Sequence, residues 1–231
     1  MTDISTAKAW LAEARHPVSF SGAGLSAESG IATFRDPDGV WAEIDPEQMA
    51  SPHGFSSDPE RVVAWYNARR RANEGAKPNP AHLALSSQSH MIHITQNVDG
   101  LLEAAGATNV LHLHGTLTRD RCHAGCGYAV AATKTGLYHC PECGGAMRPD
   151  VVWFGEMLAG SVVRAAETAA YGADVMLVVG TSAVVYPAAG LIEMAYRSGA
   201  KIVVVNQEPL DLGVGVELIG NAGDILPDLF T

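Results

Sequence analysis

The feature that most constrains this chain is an early glycine turn. The short apolar run Pro17-Val18-Ser19-Phe20 breaks into Ser21-Gly22-Ala23-Gly24-Leu25-Ser26-Ala27-Glu28. A strand that ends on closely spaced glycines and passes into a helix start is suited to receive phosphate. Glycine lets the backbone bend and come close to a ligand, while the N–H groups of the helix start face an anion. Read as Gly-x-Gly-x-x-Ala, with Ala27 third, the turn is a dinucleotide fingerprint heading a doubly wound α/β sheet. Such turns also arise for purely steric reasons. An ordinary hydride-transfer enzyme would carry an acidic residue about 20 positions on, at the end of the next strand. That offset falls at Glu43 and Asp45 in a segment with no strand pattern, and the next apolar strand comes only at Met91–Thr95. The nucleotide site is therefore not that of a classical dehydrogenase.

With 231 residues, 47% of them hydrophobic and 17% charged, the chain fits one domain plus a smaller insertion. No apolar run approaches the ~18 residues a membrane span needs. The N-terminal stretch, with Asp3, Lys8, Glu13 and Arg15 among apolar residues, reads as an amphipathic helix and not as a signal peptide, so a cytoplasmic protein is expected. A net charge of −10 disfavours nonspecific nucleic-acid binding and suits basic partners. All four cysteines lie between Cys122 and Cys143, which in a reducing compartment favours metal over disulfides.

The pattern gives a helix over 3–15, then the strand and glycine turn. The βα pattern is interrupted over 36–78, where a helix starts at Pro59 and carries Val62, Val63, Tyr66 and Arg69 at helical spacing. A helix from Asn79-Pro80, a strand at 91–95, a helix after Asp99 and a strand at Val110–Leu113 resume the core. The runs Val175–Val179 and Lys201–Val205 are apolar along nearly their whole length, the signature of parallel strands covered on both faces, and Val216–Ile219 is the last strand. The expected architecture is a Rossmann-like domain from 1–35, 79–118 and 150–231. A small domain is expected from the helical insertion 36–78 and a cysteine module at 119–149.

Four clusters carry chemistry. The cysteines are spaced Cys122-x3-Cys126, then 13 residues, then Cys140-x2-Cys143, with glycines at the knuckles. Two such pairs can present four thiolates tetrahedrally to one structural zinc, with redox use of the second pair as the alternative. His123 and His139 are expected to be solvated. His112 and His114 sit at a strand end, candidates for one general base and one structural imidazole; His114, before Gly115, is the better candidate, with a satisfied core imidazole as the alternative. Gln96-Asn97-Val98-Asp99 ends a strand with side chains able to meet an amide or sugar, or to cap the next helix. Val151-Val152-Trp153-Phe154-Gly155-Glu156 is either a core strand or an edge that accepts a peptide.

Taken in order, these motifs resemble the sirtuin family over essentially the whole chain. The resemblance rests on Gly22–Ile31 with Thr33-Phe34-Arg35, Gln96–Gly100, Leu113-His114-Gly115, the paired cysteines, Phe154-Gly155-Glu156, Gly180-Thr181-Ser182 and Asn206. Ala32 and Leu25 depart from the common proline and isoleucine. The resemblance implies an NAD-dependent protein lysine deacylase that consumes NAD and holds one structural Zn2+, which also explains the missing acidic residue. His114 would be the base, with Asn97 beside it. Gly22, Ala23, Gly24, Ser26, Glu28, Phe34, Arg35, Trp41, Gln96, Val98 and Asp99 would hold the cofactor. Gly180, Thr181, Ser182, Asn206, Gln207, Glu208 and Ala222 would line its adenosine side. Val152, Phe154, Gly155 and Glu156 would meet the acyl-lysine peptide. Tyr66 and Arg69, three apart on one helix face, look like the branch that removes succinyl and malonyl groups; without the resemblance, Arg69-Arg70-Arg71 would read as a solvated basic run. A monomer is expected. Two further readings use the same residues: a zinc module that senses NAD, and an ADP-ribosyltransferase.

Overall fold

A computed structural model describes residues 3–33, 39–40 and 44–231. Phe34, Arg35 and Trp41 lie outside the described residues. The strands, in chain order, are β1 (Pro17–Ser21), β2 (Ile92–Thr95), β3 (Val110–His112), β4 (Gly115–Cys122), β5 (Ala129–Ala131), β6 (Met147–Val151), β7 (Val175–Val179), β8 (Lys201–Asn206) and β9 (Val216–Ile219). The helices are α1 (Asp3–Glu13), α2 (Gly24–Ala27), α3 (Pro46–Met49), α4 (Pro52–Ser57), α5 (Pro59–Asn73), α6 (Pro80–Ser86), α7 (Leu101–Ala104), α8 (Gly160–Gly172), α9 (Gly190–Arg197) and α10 (Ala222–Leu229).

Six parallel strands form one sheet in the order β3-β2-β1-β7-β8-β9. Its two faces are covered by different helices, and the two-residue period of a strand divides β7 between them. Val175, Leu177 and Val179 pack with α1, α6 and α10, through Leu11, Leu85 and Leu226. Met176 and Val178 pack with α8 and α9, through Ala166, Ala170 and Ile192. Every residue of β7 is buried, which is why its sequence is an unbroken apolar run. A charge at Val178 would have no water and no partner, at a cost of several kcal/mol.

The 46–73 segment folds into three short helices because each has a proline in its first turn and an oxygen cap just before it. Asp45, Ser51 and Asp58 accept from the backbone N–H groups of Glu47, Gly54 and Arg61. These helices pack on a three-stranded antiparallel sheet, β5-β4-β6. Phe55, Val62, Val63 and Tyr66 meet Leu117, Val151 and Trp153 in a single core. The sheet runs from Gly115 to Val151 and so extends beyond the span marked by the cysteines. A buried ion pair ties it to α5: Arg70 Nη2 lies 2.6 Å from Asp120 Oδ1, and Asp120 Oδ2 accepts from the Tyr138 hydroxyl. Among the described residues no helix is long and apolar enough to cross a membrane.

Candidate active site

In the large sheet the strand order reverses between β1 and β7, the switch point where a doubly wound sheet opens a crevice at its carboxyl edge. The glycine turn follows β1, and Gly180 follows β7. The two loops are packed backbone to backbone, with Gly22 N donating to Val179 O at 3.0 Å and Gly24 N to Gly180 O at 2.8 Å. A Cβ on Gly24 would stand 2.7 Å from Gly180 Cα, and one on Gly22 2.8 Å from Gly180 O. These glycines are thus demanded by the fold before any ligand arrives. Gly180 itself has φ +57, a left-handed conformation that favours glycine. The helix expected after the turn is the single turn α2, so no long helix dipole stands behind the turn, and the N–H groups of Gly24, Leu25 and Ser26 are taken by Gly180 O, Gly22 O and Ala23 O.

The crevice is a cleft of about 1210 Å³. Gly22, Ala23 and Gly24 line it from the first loop, with Gln96, Asn97 and Val98 after β2 and His114 after β3. Gly180, Thr181 and Ser182 reach it after β7, and Asn206, Gln207 and Glu208 after β8. Five segments scattered through the sequence therefore converge on one space.

Four of the sequence-selected residues stand behind it. Ser26, 1% exposed, accepts from Asn97 Nδ2 (3.1 Å) and donates to Asp99 Oδ2 (2.9 Å). Asp99 also caps α7 through the Leu101 N–H. Buried His82 completes this group, with its Nδ1 accepting from Asn79 N and its Nε2 thereby the donor to Ser26 Oγ, at 3.4 Å. Glu28 accepts from Gly223 N at the start of α10, and Ala222 is buried beneath that contact. Ser26, Glu28, Asp99 and Ala222 hold the cleft's walls in place; their side chains are not its lining.

His114 is half-buried, with Nδ1 3.0 Å from Gln96 O. A carbonyl only accepts, so Nδ1 carries a hydrogen. His112 differs. Its Nδ1 faces Asn97 O at 3.0 Å and its Nε2 faces Glu103 Oε1 at 2.6 Å. Two acceptors require two N–H donors. Burial opposes that charge, but the Glu103 carboxylate outweighs it and raises the pKa. His112 is thus a structural clamp on the Asn97 carbonyl, whereas His114 lines the cleft.

The opposite wall comes from α5 and the segment after β6. Tyr66 and Arg69 both line the cleft, although Tyr66 is only 4% exposed. Burial drives the Tyr66 pKa up and the Arg69 pKa down. Arg69 is therefore no solvated member of a basic run; its guanidinium stands 5.0 Å from the Trp65 ring centroid. Val152, Phe154, Gly155 and Glu156 line the cleft as well. Extended structure ends at Val151, and the N–H groups of Val152, Trp153 and Phe154 are used by His114 O, Glu156 Oε2 and Ala50 O. A peptide strand added here would have to use other backbone groups. The Glu156 carboxylate is itself engaged by Arg121 and by fully buried Arg148, at 3.1 and 2.7 Å.

A family model described as "Sir2 family" matches residues 22–187. The chain belongs to the Sir2 family. It is 45% identical over 228 residues to NAD-dependent protein deacylase 2 of Pyrobaculum aerophilum, covering 95% of this chain and 91% of that protein. It superposes on a Sir2 homologue in complex with NAD with a TM-score of 0.90 at 40% identity, covering 99% and 93% of the two chains. A mutant Sir2 homologue holding 2′-O-acetyl ADP ribose gives a TM-score of 0.88 at 41% identity, covering 98% and 93%.

In this Sir2 chain the four cysteine sulfurs lie within 4.8 Å of one another, with Cys122–Cys143 at 3.4 Å and Cys126–Cys140 at 3.6 Å. Zinc–sulfur bonds of about 2.3 Å make a tetrahedron with edges of about 3.8 Å, so the donor set fits one zinc ion. None of the four is in a disulfide. His139 is exposed, as expected. His123 is only partly exposed: it packs on Phe55 at 4.7 Å and on Trp153 at 6.3 Å between ring centroids. His82 was not singled out in the sequence, and Trp153 only as part of the 151–156 stretch. Asn79-x-x-His82 is a capping box, so His82 had a local signal; Trp153 had only its alternation with Val152 and Phe154.

Proposed function

We infer that this chain is an NAD-dependent protein lysine deacylase that removes succinyl, malonyl and acetyl groups, giving nicotinamide, O-acyl-ADP-ribose and free lysine. The observation that carries the acyl reading is the position of Tyr66 and Arg69 on the cleft wall facing the same space as His114 and the glycine turn. A guanidinium held among apolar groups, with a phenol one helical turn away, suits a carboxylate at the end of an acyl chain. The deacylase names of the relatives and the acetyl-ADP-ribose neighbour support the chemistry.

NAD, when bound, would supply an electrophilic ribose carbon with nicotinamide as its leaving group. His114 Nε2 takes the proton of a ribose hydroxyl, while Nδ1 keeps its hydrogen on Gln96 O and so holds the ring's tautomer. Asn97, anchored through its amide nitrogen on Ser26 and through its carbonyl on His112, positions ribose and water. Gly180–Ser182 and Asn206–Glu208 hold the adenosine side; Asn206 Nδ2 donates to Glu208 O at 2.9 Å and fixes that loop. Phe154 and Gly155 flank the entering lysine. The four cysteines would hold one zinc, which with four protein thiolates would serve to fold the small sheet. Unbridged cysteines accord with a cytoplasmic enzyme.

Mass spectrometry of a reaction with NAD and a succinyl-lysine peptide is expected to give equal amounts of nicotinamide, free-lysine peptide and O-succinyl-ADP-ribose. Hydrolysis to free succinate with NAD untouched would refute the reading.

A further inference from the structure

Trp153 joins the peptide-facing segment to the acyl wall. It is 2% exposed, and its Nε1–H donates to the Tyr66 hydroxyl at 2.8 Å. An indole N–H can only donate, so the phenol oxygen must accept from it. The phenol's single proton is then left to donate elsewhere, and it has no acceptor among the described residues. The indole is held from three sides. Its backbone N–H donates to Glu156 Oε2 at 2.9 Å, its ring lies against Phe55 at 5.3 Å, and the buried Arg148 guanidinium sits 3.5 Å from its centroid. Arg148 Nη2 in turn bonds Glu156 Oε2 at 2.7 Å. A charged pair with no exposure on the arginine side thus fixes the ring that fixes the phenol.

We propose that Trp153 is a specificity-determining residue, acting through Tyr66: by occupying the phenol oxygen as acceptor it makes the phenol an obligate donor to an acyl carboxylate. An acetyl group ends in a methyl and gains nothing from that proton. A succinyl or malonyl carboxylate accepts it alongside the Arg69 guanidinium. Burial raises the Tyr66 pKa, so the proton stays on the phenol throughout the working range. This inference rests on the acyl reading above, and its test separates the two.

The test measures the ratio of kcat/KM for succinyl-lysine to that for acetyl-lysine on one peptide with NAD, in a double-mutant cycle of Trp153→Phe and Tyr66→Phe. Trp153→Phe keeps an aromatic ring and removes only the donor. It is expected to lower the ratio about fivefold, the size of one neutral hydrogen bond, and to leave it unchanged when Tyr66 is already Phe. A ratio unaltered by Trp153→Phe, or lowered equally in both backgrounds, overturns the proposal while the acyl reading stands. A wild-type enzyme with no succinyl turnover overturns both. If Trp153→Phe does not fold, nitrogen-15 indole spectra of the wild type decide the matter. The Trp153 N–H signal is expected to shift with saturating succinyl-lysine peptide and not with its acetyl counterpart; no difference between the two overturns the proposal.

Discussion

The carboxyl edge of the parallel sheet and the wall opposite it enclose one cleft and are built by different physics. At the sheet edge the loops are fixed by backbone contact, with Gly22 and Gly24 against Gly180, and behind them lies a group of neutral and singly charged side chains ending at Asp99. Substitution there breaks the fold or the chemistry. The opposite wall is held by buried charges: Arg70 on Asp120, Arg148 on Glu156, and Arg69 beside Tyr66. Arg70 and Arg148 are each matched to a particular carboxylate, and of the three arginines Arg69 lines the cleft. On the proposed function, the acyl group would be chosen on α5 while the chemical step belongs to the sheet edge.

The sharpest way to break this division is His114→Ala. It removes the base and is expected to lower kcat/KM about 10²–10⁴-fold on succinyl- and acetyl-lysine alike, with the Tm preserved. Loss confined to one acyl group would place His114 on the selective wall instead. Arg69→Met is the mirror experiment. Removing a desolvated charge contact is expected to cost about 2–4 kcal/mol, roughly tens-fold to several-hundred-fold in kcat/KM on succinyl-lysine, with a far smaller change on acetyl-lysine. Equal losses on both would make Arg69 structural.

The metal sharpens the contrast in stability. One zinc per chain is expected by elemental analysis, and Cys140→Ser is expected to lower the Tm by roughly 10 °C by loosening the small sheet. Zinc-free protein with full activity would remove the metal from the account.

The smallest effect belongs to pH. Burial pushes the pKa values of His82 and His93 down to about 4, with Asp99 and Glu103 opposing it respectively. Unfolded histidine titrates near 6.5, so between roughly 6.5 and 4 the unfolded chain binds more protons and stability falls as pH drops. His112, whose pKa is raised, has the opposite sign: its contribution is complete below the unfolded value and is lost as pH rises through the folded one. Thermal melts are expected to show the Tm declining over the acid window, and His93→Asn, which can still meet Ser19, to flatten that decline by a few degrees. An unaltered slope would assign the acid sensitivity to other groups.

Much of the sheet edge was legible because its signals are local. The apolar runs 175–179 and 201–205, the glycine turn and the polar strand ends are each contained within a few residues, and the cysteine spacing carries its own geometry. The positions of Tyr66 and Arg69 on one face followed from helical spacing. What was not legible depends on pairing between distant segments. No local pattern shows that Arg148 lies under Trp153, that Trp153 Nε1 meets Tyr66, or that Glu28 serves the start of α10. The length of α2 was not legible because the Gly-rich turn looks the same whether one helical turn or several follow.

The most direct measurement of the central claim is nicotinamide release from NAD by the wild-type protein with no peptide, and with acetyl- and succinyl-lysine versions of one peptide. The expected result is no release without acylated peptide, efficient release with succinyl-lysine, and weaker but detectable release with acetyl-lysine. Release at the same rate without peptide, or turnover of acetyl-lysine with none of succinyl-lysine, would contradict the account.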